Sequence, residues 1–181
     1  MFLGLDISTS CIGVTVLDKD GHLVLSDAIK LSKTTCKDLI DKIEFTRDFF
    51  VKLKQTHEIK VIYVEDFLKK FKQGHSSANI IAMLAGFNTT VCWLCYDVFK
   101  IKPTKISFTA ARNFLGIDIK GIKDKKLVKK AVLDFIIDKV PGFPFEKTRF
   151  GNPTFDMYDR ADSCVVAKFA YYETTKVPVK K

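Results

Sequence analysis

The feature that most constrains this chain is an acidic residue at the end of an apolar strand. Residues 2–8, opening Phe2-Leu3-Gly4-Leu5-Asp6, read as a strand, Ser8–Ser10 as a tight polar turn, and 11–18 as a second apolar strand. A carboxylate buried there without a partner costs enough that it takes up a proton or attracts a cation. Of the two, the cation carries chemical consequences.

Lys19-Asp20-Gly21 supplies the next turn, into a third strand at 22–30, so the chain opens as an antiparallel meander. From Lys37 to His57, Leu39, Ile40, Ile43, Phe49, Phe50 and Leu53 recur at helical spacing among charged residues. Lys60-Val61-Ile62-Tyr63-Val64-Glu65 is a short β-rich run, too apolar for an edge strand. It too ends in an acid, the second carboxylate at a strand end. Asp66 to Ser77 then mixes Phe67 and Phe71 with Lys69, Lys70 and Lys72, which reads as an exposed basic loop or helix start.

Ser76 or Ser77 is placed to cap a helix running to about Phe99. No charge occurs from Ile80 to Tyr96, so a membrane span must be weighed. The run is short for a span and carries Asn88, Thr89 and Thr90 at its centre, which favours a central helix packed on both sides, with any surplus apolar face meeting a second copy of the chain. Cys92-x-x-Cys95 lies within it and reads as two small buried residues, since no second Cys or His pair sits at zinc-like spacing. Pro103 precedes a short fifth strand at 104–107, and a helix at Thr109–Leu115 is closed by Gly116. The basic stretch from Lys120 to Lys130 leads into a helix through Lys139, Pro141–Pro153 reads as an irregular aromatic loop, and Asp156 as the N-cap of a last helix from 157 to about 172. A flexible tail is expected over about 174–181.

With 181 residues, the chain fits one domain covering 1–181, able to bury roughly two-thirds of its unfolded surface without disulfides. Five cysteines, an odd number, and no evident signal peptide point to an intracellular, reducing compartment. A formal net charge of +9 is the electrostatic footprint of a polyanion partner, with nucleic acid the first candidate.

Asp159 and Asp162 are three residues apart on the last helix and project from one face. The helix dipole favours an acid in the first turn, which accounts for Asp159 and not for Asp162. A divalent ion accounts for both. Three antiparallel strands, a helix, a strand, then further helices and one more strand, with acids after strands one and four and on the last helix, is a ribonuclease H-like order.

The chain resembles the RuvC-type Holliday junction resolvases, in their divergent viral and phage branch. The likeness is carried by G-L-D-x-S at Gly4–Ser8, V-E-D-F at Val64–Phe67, S-S-A at Ser76–Ala78, K-K-x-x-K-K at Lys125–Lys130 and D-x-A-D at Asp159–Asp162. It implies an α/β fold with a mixed five-stranded sheet flanked by helices on both faces. It further implies that Asp6, Glu65, Asp159 and Asp162 hold two Mg²⁺ or Mn²⁺ ions, a role that suits oxygen-only ligands. The activity implied is hydrolysis of branched DNA, four-way junctions above all, by a homodimer. A lysine near the metals is implied as well: Lys125 or Lys126 fits best, with Lys105 as another choice. Phe67 or Phe71 is the candidate for stacking on bases at the branch point, and Lys69, Lys70, Lys72, Lys123, Lys129 and Lys130 for phosphates.

Three other readings compete. One is a nuclease of the same fold acting on RNA, flaps or simple branches. Another is an ATP-binding domain of the actin and sugar-kinase type, whose glycine-rich hairpin Gly4–Gly13 imitates; such proteins need two domains, more than this chain supplies, so no nucleotide cofactor is expected. The last is a catalytically silent DNA-binding module.

Overall fold

The computed structural model describes residues 1–66 and 78–179. Its centre is a five-stranded sheet in the order β3-β2-β1-β4-β5. The strands are β1 (Phe2–Ile7), β2 (Cys11–Leu17), β3 (Leu23–Lys30), β4 (Val61–Glu65) and β5 (Thr104–Ile106). β1, β2 and β3 form the expected antiparallel meander, while β4 runs parallel to both β1 and β5. The central place of β4 explains its unbroken apolar run.

Five helices complete the fold: α1 (Leu39–Thr56), α2 (Ala78–Phe99), α3 (Phe108–Leu115), α4 (Lys125–Lys139) and α5 (Met157–Thr175). Strand side chains alternate between faces. Leu3, Leu5, Val14, Ile62 and Val64 join one core with α1 and α2, and Phe2, Leu17, Tyr63 and Ile106 join another with α3, α4 and α5. This is the mixed α/β arrangement the sequence implies, with helices on both sides of the sheet.

On the second face the sheet meets α5 at unusually close range. A Cβ on Gly13 would lie 1.9 Å from the carbonyl oxygen of Asp159, and one on Gly4 would lie 2.4 Å from the backbone nitrogen of Ala167. Only glycine admits the helix at these two points. Thr15 and Ser163 then share a buried hydroxyl–hydroxyl hydrogen bond of 2.8 Å, so the polar groups of this contact are satisfied.

α2 is long and apolar enough to cross a membrane over Asn79–Phe99, with mean hydropathy 1.3 and 28% of that span buried. Its inner side, with Phe87, Val91, Leu94 and Cys95, is packed into the α1–α2 core. The other side leaves Ile80, Met83, Trp93 and Tyr96 exposed, so α2 is covered on one side where the sequence led to an expectation of two. The segment 141–153 also departs from its expected irregularity: it contains an antiparallel bridge between Lys147 and Pro153. α5 continues to Thr175, beyond the expected end at 172 and into the expected tail.

The glycine contacts give a direct test. Gly13→Ala should lower stability by about 1–3 kcal/mol or more, because the added methyl meets helix backbone instead of a side chain able to rotate away. Gly86→Ala, where a Cβ meets nothing within 4 Å, should leave stability equal or slightly higher, and chemical denaturation of both variants measures the contrast.

Candidate functional site

The strand register assembles the acids. Leu5 pairs with Val64 across the parallel β1–β4 ladder, so the next residues, Asp6 and Glu65, lie side by side at the carboxyl ends of the two strands. Both belong to the set of alternate residues that faces α5, with Gly4 and Tyr63 before them. Across the antiparallel ladder Asp6 pairs with Gly13, the residue over which the backbone of Asp159 rests. Asp159 is thereby carried to Asp6, and Asp162 follows within one turn of α5. All four acids are buried, with exposures of 7% for Asp6, 3% for Glu65, 7% for Asp159 and 6% for Asp162.

Cys11 reports the same convergence from another side. Burial pushes its thiol pKa up, and the negative charges of Asp159, Asp156 and Asp6 push it further, with a hydrogen bond to Asp159 adding to the effect. The turn before it is fixed: Ser8 Oγ donates to the Cys11 carbonyl at 2.7 Å, and Lys42 Nζ on α1 donates to the Thr9 carbonyl at 2.6 Å.

A second charged network holds the start of α5. The expected N-cap, Asp156, occupies the cap position but makes no side-chain capping bond. Its carboxylate instead takes Lys30 Nζ at 3.1 Å and lies 3.7 Å from Arg160 Nη1. Arg160 is buried and donates to the Ser26 carbonyl at 2.6 Å and to Glu146 Oε1 at 2.8 Å. Burial raises the Asp156 pKa, but Lys30 and backbone hydrogen bonding outweigh it, leaving the carboxyl below its ordinary value.

The lysines separate by position. Lys129 Nζ lies 3.9 Å from Asp159 Oδ1, so it is Lys129, one turn beyond the two favoured candidates, that reaches the acids. Lys125 and Lys126 are exposed in the first turn of α4, and neither forms an ion pair with a described residue. Lys105 pairs with Val64 on the α2 side of the sheet, where its charge acts on Cys92, on the opposite face from the acids. Lys123 is exposed ahead of α4, and Lys130 pairs with Asp134 at 2.7 Å. Phe67, Phe71, Lys69, Lys70 and Lys72 lie outside the described residues.

Sequence reasoning passed over Cys11, Lys30 and Arg160. Lys30 was legible in part, because a lysine closing β3 comes to lie beside the first residue of β2 in any meander of this length. An acidic surface group of Asp18, Asp20 and His22 also has ligand atoms within 4.8 Å of one another. It sits on the β2–β3 turn, at the other end of the sheet, where Asp18 accepts the backbone N–H groups of Asp20 and His22 as a turn-forming residue does.

The same architecture occurs in solved structures. Thermus thermophilus RuvC in complex with a Holliday junction substrate superimposes with a TM-score of 0.64 at 11% identity, over 96% of this chain and 94% of that one. A further Thermus thermophilus RuvC structure gives 0.60 at 14% identity, over 97% and 96% of the two chains. The fold is that of a RuvC-type resolvase. The crystal structure of the yeast mitochondrial Holliday junction resolvase gives 0.57 at 13% identity, covering 97% of this chain and 79% of that one. No family model matches the sequence, and no curated protein matches it. The same mixed α/β architecture is thus shared along nearly the full chain at low sequence identity.

Two outcomes are expected from the α5 network. Arg160→Met should cost about 3–5 kcal/mol in denaturant unfolding, since it leaves buried Asp156 short of a cation. Because the folded pKa of Asp156 is depressed, its contribution to stability is full above its unfolded value near 4 and is lost as pH falls through the folded one. Asp156→Asn should flatten the fall of the thermal midpoint with acid in that range.

Proposed function

We propose that this chain is a divalent-cation-dependent endonuclease that cuts branched DNA, with four-way junctions as its substrate, and that it works as a homodimer placing paired symmetric nicks. The observation that carries the reading is the set Asp6, Glu65, Asp159 and Asp162, buried together where β1 and β4 end beneath the first turns of α5. Bringing four carboxylates into one buried place is unfavourable unless cations or protons offset their charge. The donor chemistry fits a hard cation, because the acids supply only oxygen.

Mg²⁺ or Mn²⁺, two ions per site, would supply a bound water of lowered pKa and would neutralise charge on the leaving 3′ oxygen. The chain's own residues do the rest. Asp6 and Glu65, on adjacent central strands, give the site its rigid floor, and Asp159 and Asp162 close it from a helix whose position the Gly4 and Gly13 contacts fix. Lys129 places a cation at the rim, where it orients a scissile phosphate and offsets negative charge developing on it. Lys125, Lys126, Lys123 and Lys130 extend the positive surface along and before α4 and steer a polyanion toward it. Five free thiols, four of them buried, fit an intracellular reducing compartment.

The homodimer reading rests on α2. Its outward side presents Ile80, Met83, Trp93 and Tyr96 at 46 to 59% exposure, with Gly86 open between them. An exposed apolar stripe along a helix that length is suited to pairing with its own copy across a two-fold axis. Two active sites a fixed distance apart are what symmetric nicking needs.

A mobile four-way junction, its matched duplex, a flap and an RNA–DNA hybrid, each with Mg²⁺ or Mn²⁺, test the activity. Symmetric nicks in the junction alone are expected, with Asp6→Asn lowering the rate by at least about a hundredfold; cleavage confined to the hybrid would transfer the assignment to RNA. Lys129→Ala should slow cleavage more than Lys125→Ala. Trp93→Glu with Met83→Glu should yield a monomer by light scattering that nicks singly; a wild-type chain already monomeric at assay concentration would remove the paired mechanism.

A further inference from the structure

The segment before α5 is built as a projecting hairpin. Thr148 N–H donates to the Asn152 carbonyl at 2.7 Å, Gly151 N–H to the Thr148 carbonyl at 2.9 Å, and Thr154 N–H to the Glu146 carbonyl at 3.1 Å. With the Lys147–Pro153 bridge between them, these bonds close two short antiparallel arms. Gly151, at φ +81°, takes the left-handed position that ends a three-residue hairpin loop. Arg149 and Phe150 are thereby fixed at the tip.

The base of the hairpin is tied to the helix that carries Asp159 and Asp162. The Glu146 carboxylate accepts from Arg160 at 2.8 Å, and its N–H points at Met157 Sδ at 3.4 Å. The tip, by contrast, faces solvent, with Phe150 75% exposed, and Phe155, just past the base, is 73% exposed. Phe145 is 40% exposed. Each of two aromatic rings has a cation over it, Arg149 at 4.6 Å from the Phe150 centroid and Lys147 at 5.2 Å from that of Phe145.

Large apolar rings left in water on a hydrogen-bonded support call for a partner. Rings interleaved with guanidinium and ammonium groups match one kind of partner well: bases stack on the rings while phosphates meet the cations. A folded apolar protein surface would leave Arg149 and Lys147 unmatched, and an intact duplex offers its phosphates but keeps its base faces stacked. We infer that the 145–155 hairpin is a second nucleic-acid-contacting element, which stacks Phe150 on bases unstacked at a DNA branch and sets Lys147 and Arg149 on the flanking phosphates. This inference rests on the branched-DNA reading above and gives that site its means of telling a branch from a duplex. Its attachment through Glu146 and Arg160 places the stacked base at a fixed offset from the acids.

Binding in the absence of divalent metal tests the hairpin independently of cleavage. The probes are a four-way junction with 2-aminopurine at the branch, a matched duplex and oligo(dT). Phe150→Ala should weaken binding to the junction and to oligo(dT) about tenfold, leave duplex binding within twofold, and abolish the branch-dependent fluorescence change. Phe150→Trp should restore all three, and the thermal midpoint of both variants should match the native chain, as expected for a residue so exposed. Equal affinity of the native chain and Phe150→Ala for junction and oligo(dT) would overturn the inference. Absence of metal-dependent junction cleavage, with Phe150-dependent binding retained, would instead remove the nuclease reading and leave the hairpin's role standing.

Discussion

The structure depends on how closely α5 can lie on β1 and β2. A helix resting on a sheet normally stands off by the thickness of two layers of side chains, about 10 Å. Here Gly4 and Gly13 remove one layer at two points, and the backbone of α5 settles into the space. Everything at the site follows from that short distance, because it lets a carboxylate on the helix reach carboxylates at the strand ends. Thr15 and Ser163 occupy the remaining contact with a hydrogen bond in place of apolar packing, which fixes the register of the helix along the sheet.

The charges around α5 divide into two groups along one helix. Asp156 and Arg160, four residues apart, turn toward β3 and meet Lys30 and Ser26, so the buried charges of this side are matched within the fold. Asp159 and Asp162 turn toward β1 and β4. Arg160 stands between them in sequence yet serves the other group, and the 100° step between neighbouring helical residues is what allows it. The structural network therefore braces the same turn that presents the acids. Lys129, more than half exposed and 3.9 Å from Asp159, belongs to the rim and not to this brace.

Much of this arrangement was legible in the sequence. Asp6 and Glu65 stood out because a strand rarely ends its apolar run in an acid, and the parallel β1–β4 pairing then brings those ends together by simple register. Asp159 and Asp162 were legible from helical spacing. Which lysine of α4 stands nearest the acids was not legible: Lys125, Lys126 and Lys129 share a side of the helix at spacings of three and four, and only the depth at which α4 packs on α5 decides which of them reaches Asp159. Lys105 was misplaced for a different reason, since in a three-residue strand one position of register moves a side chain to the opposite face. The hairpin at 146–154 escaped notice because Arg149, Phe150 and Gly151 carry weak turn signals, and its form comes from a glycine in the left-handed region.

The surface and the centre of this molecule have opposite electrostatic character, and the nuclease reading explains why both are needed. An excess of nine positive charges would draw a polyanion such as DNA from a distance, over a range set by the Debye length. On the proposed activity, a scissile phosphate would nonetheless have to come to rest against four carboxylates in a setting where charge is poorly screened, and there the local field would oppose it. Peripheral attraction alone would hold DNA beside the site without admitting the reacting group. On the proposed activity, a dication held by the four carboxylates would reverse the sign of that local field, so entry of the phosphate and the capacity to cut it would arise from the same binding event. Duplex held only by surface lysines has no equivalent route inward. A branch whose bases have opened can be gripped at a second place, the tip of the hairpin, and its strand directed from there toward the acids.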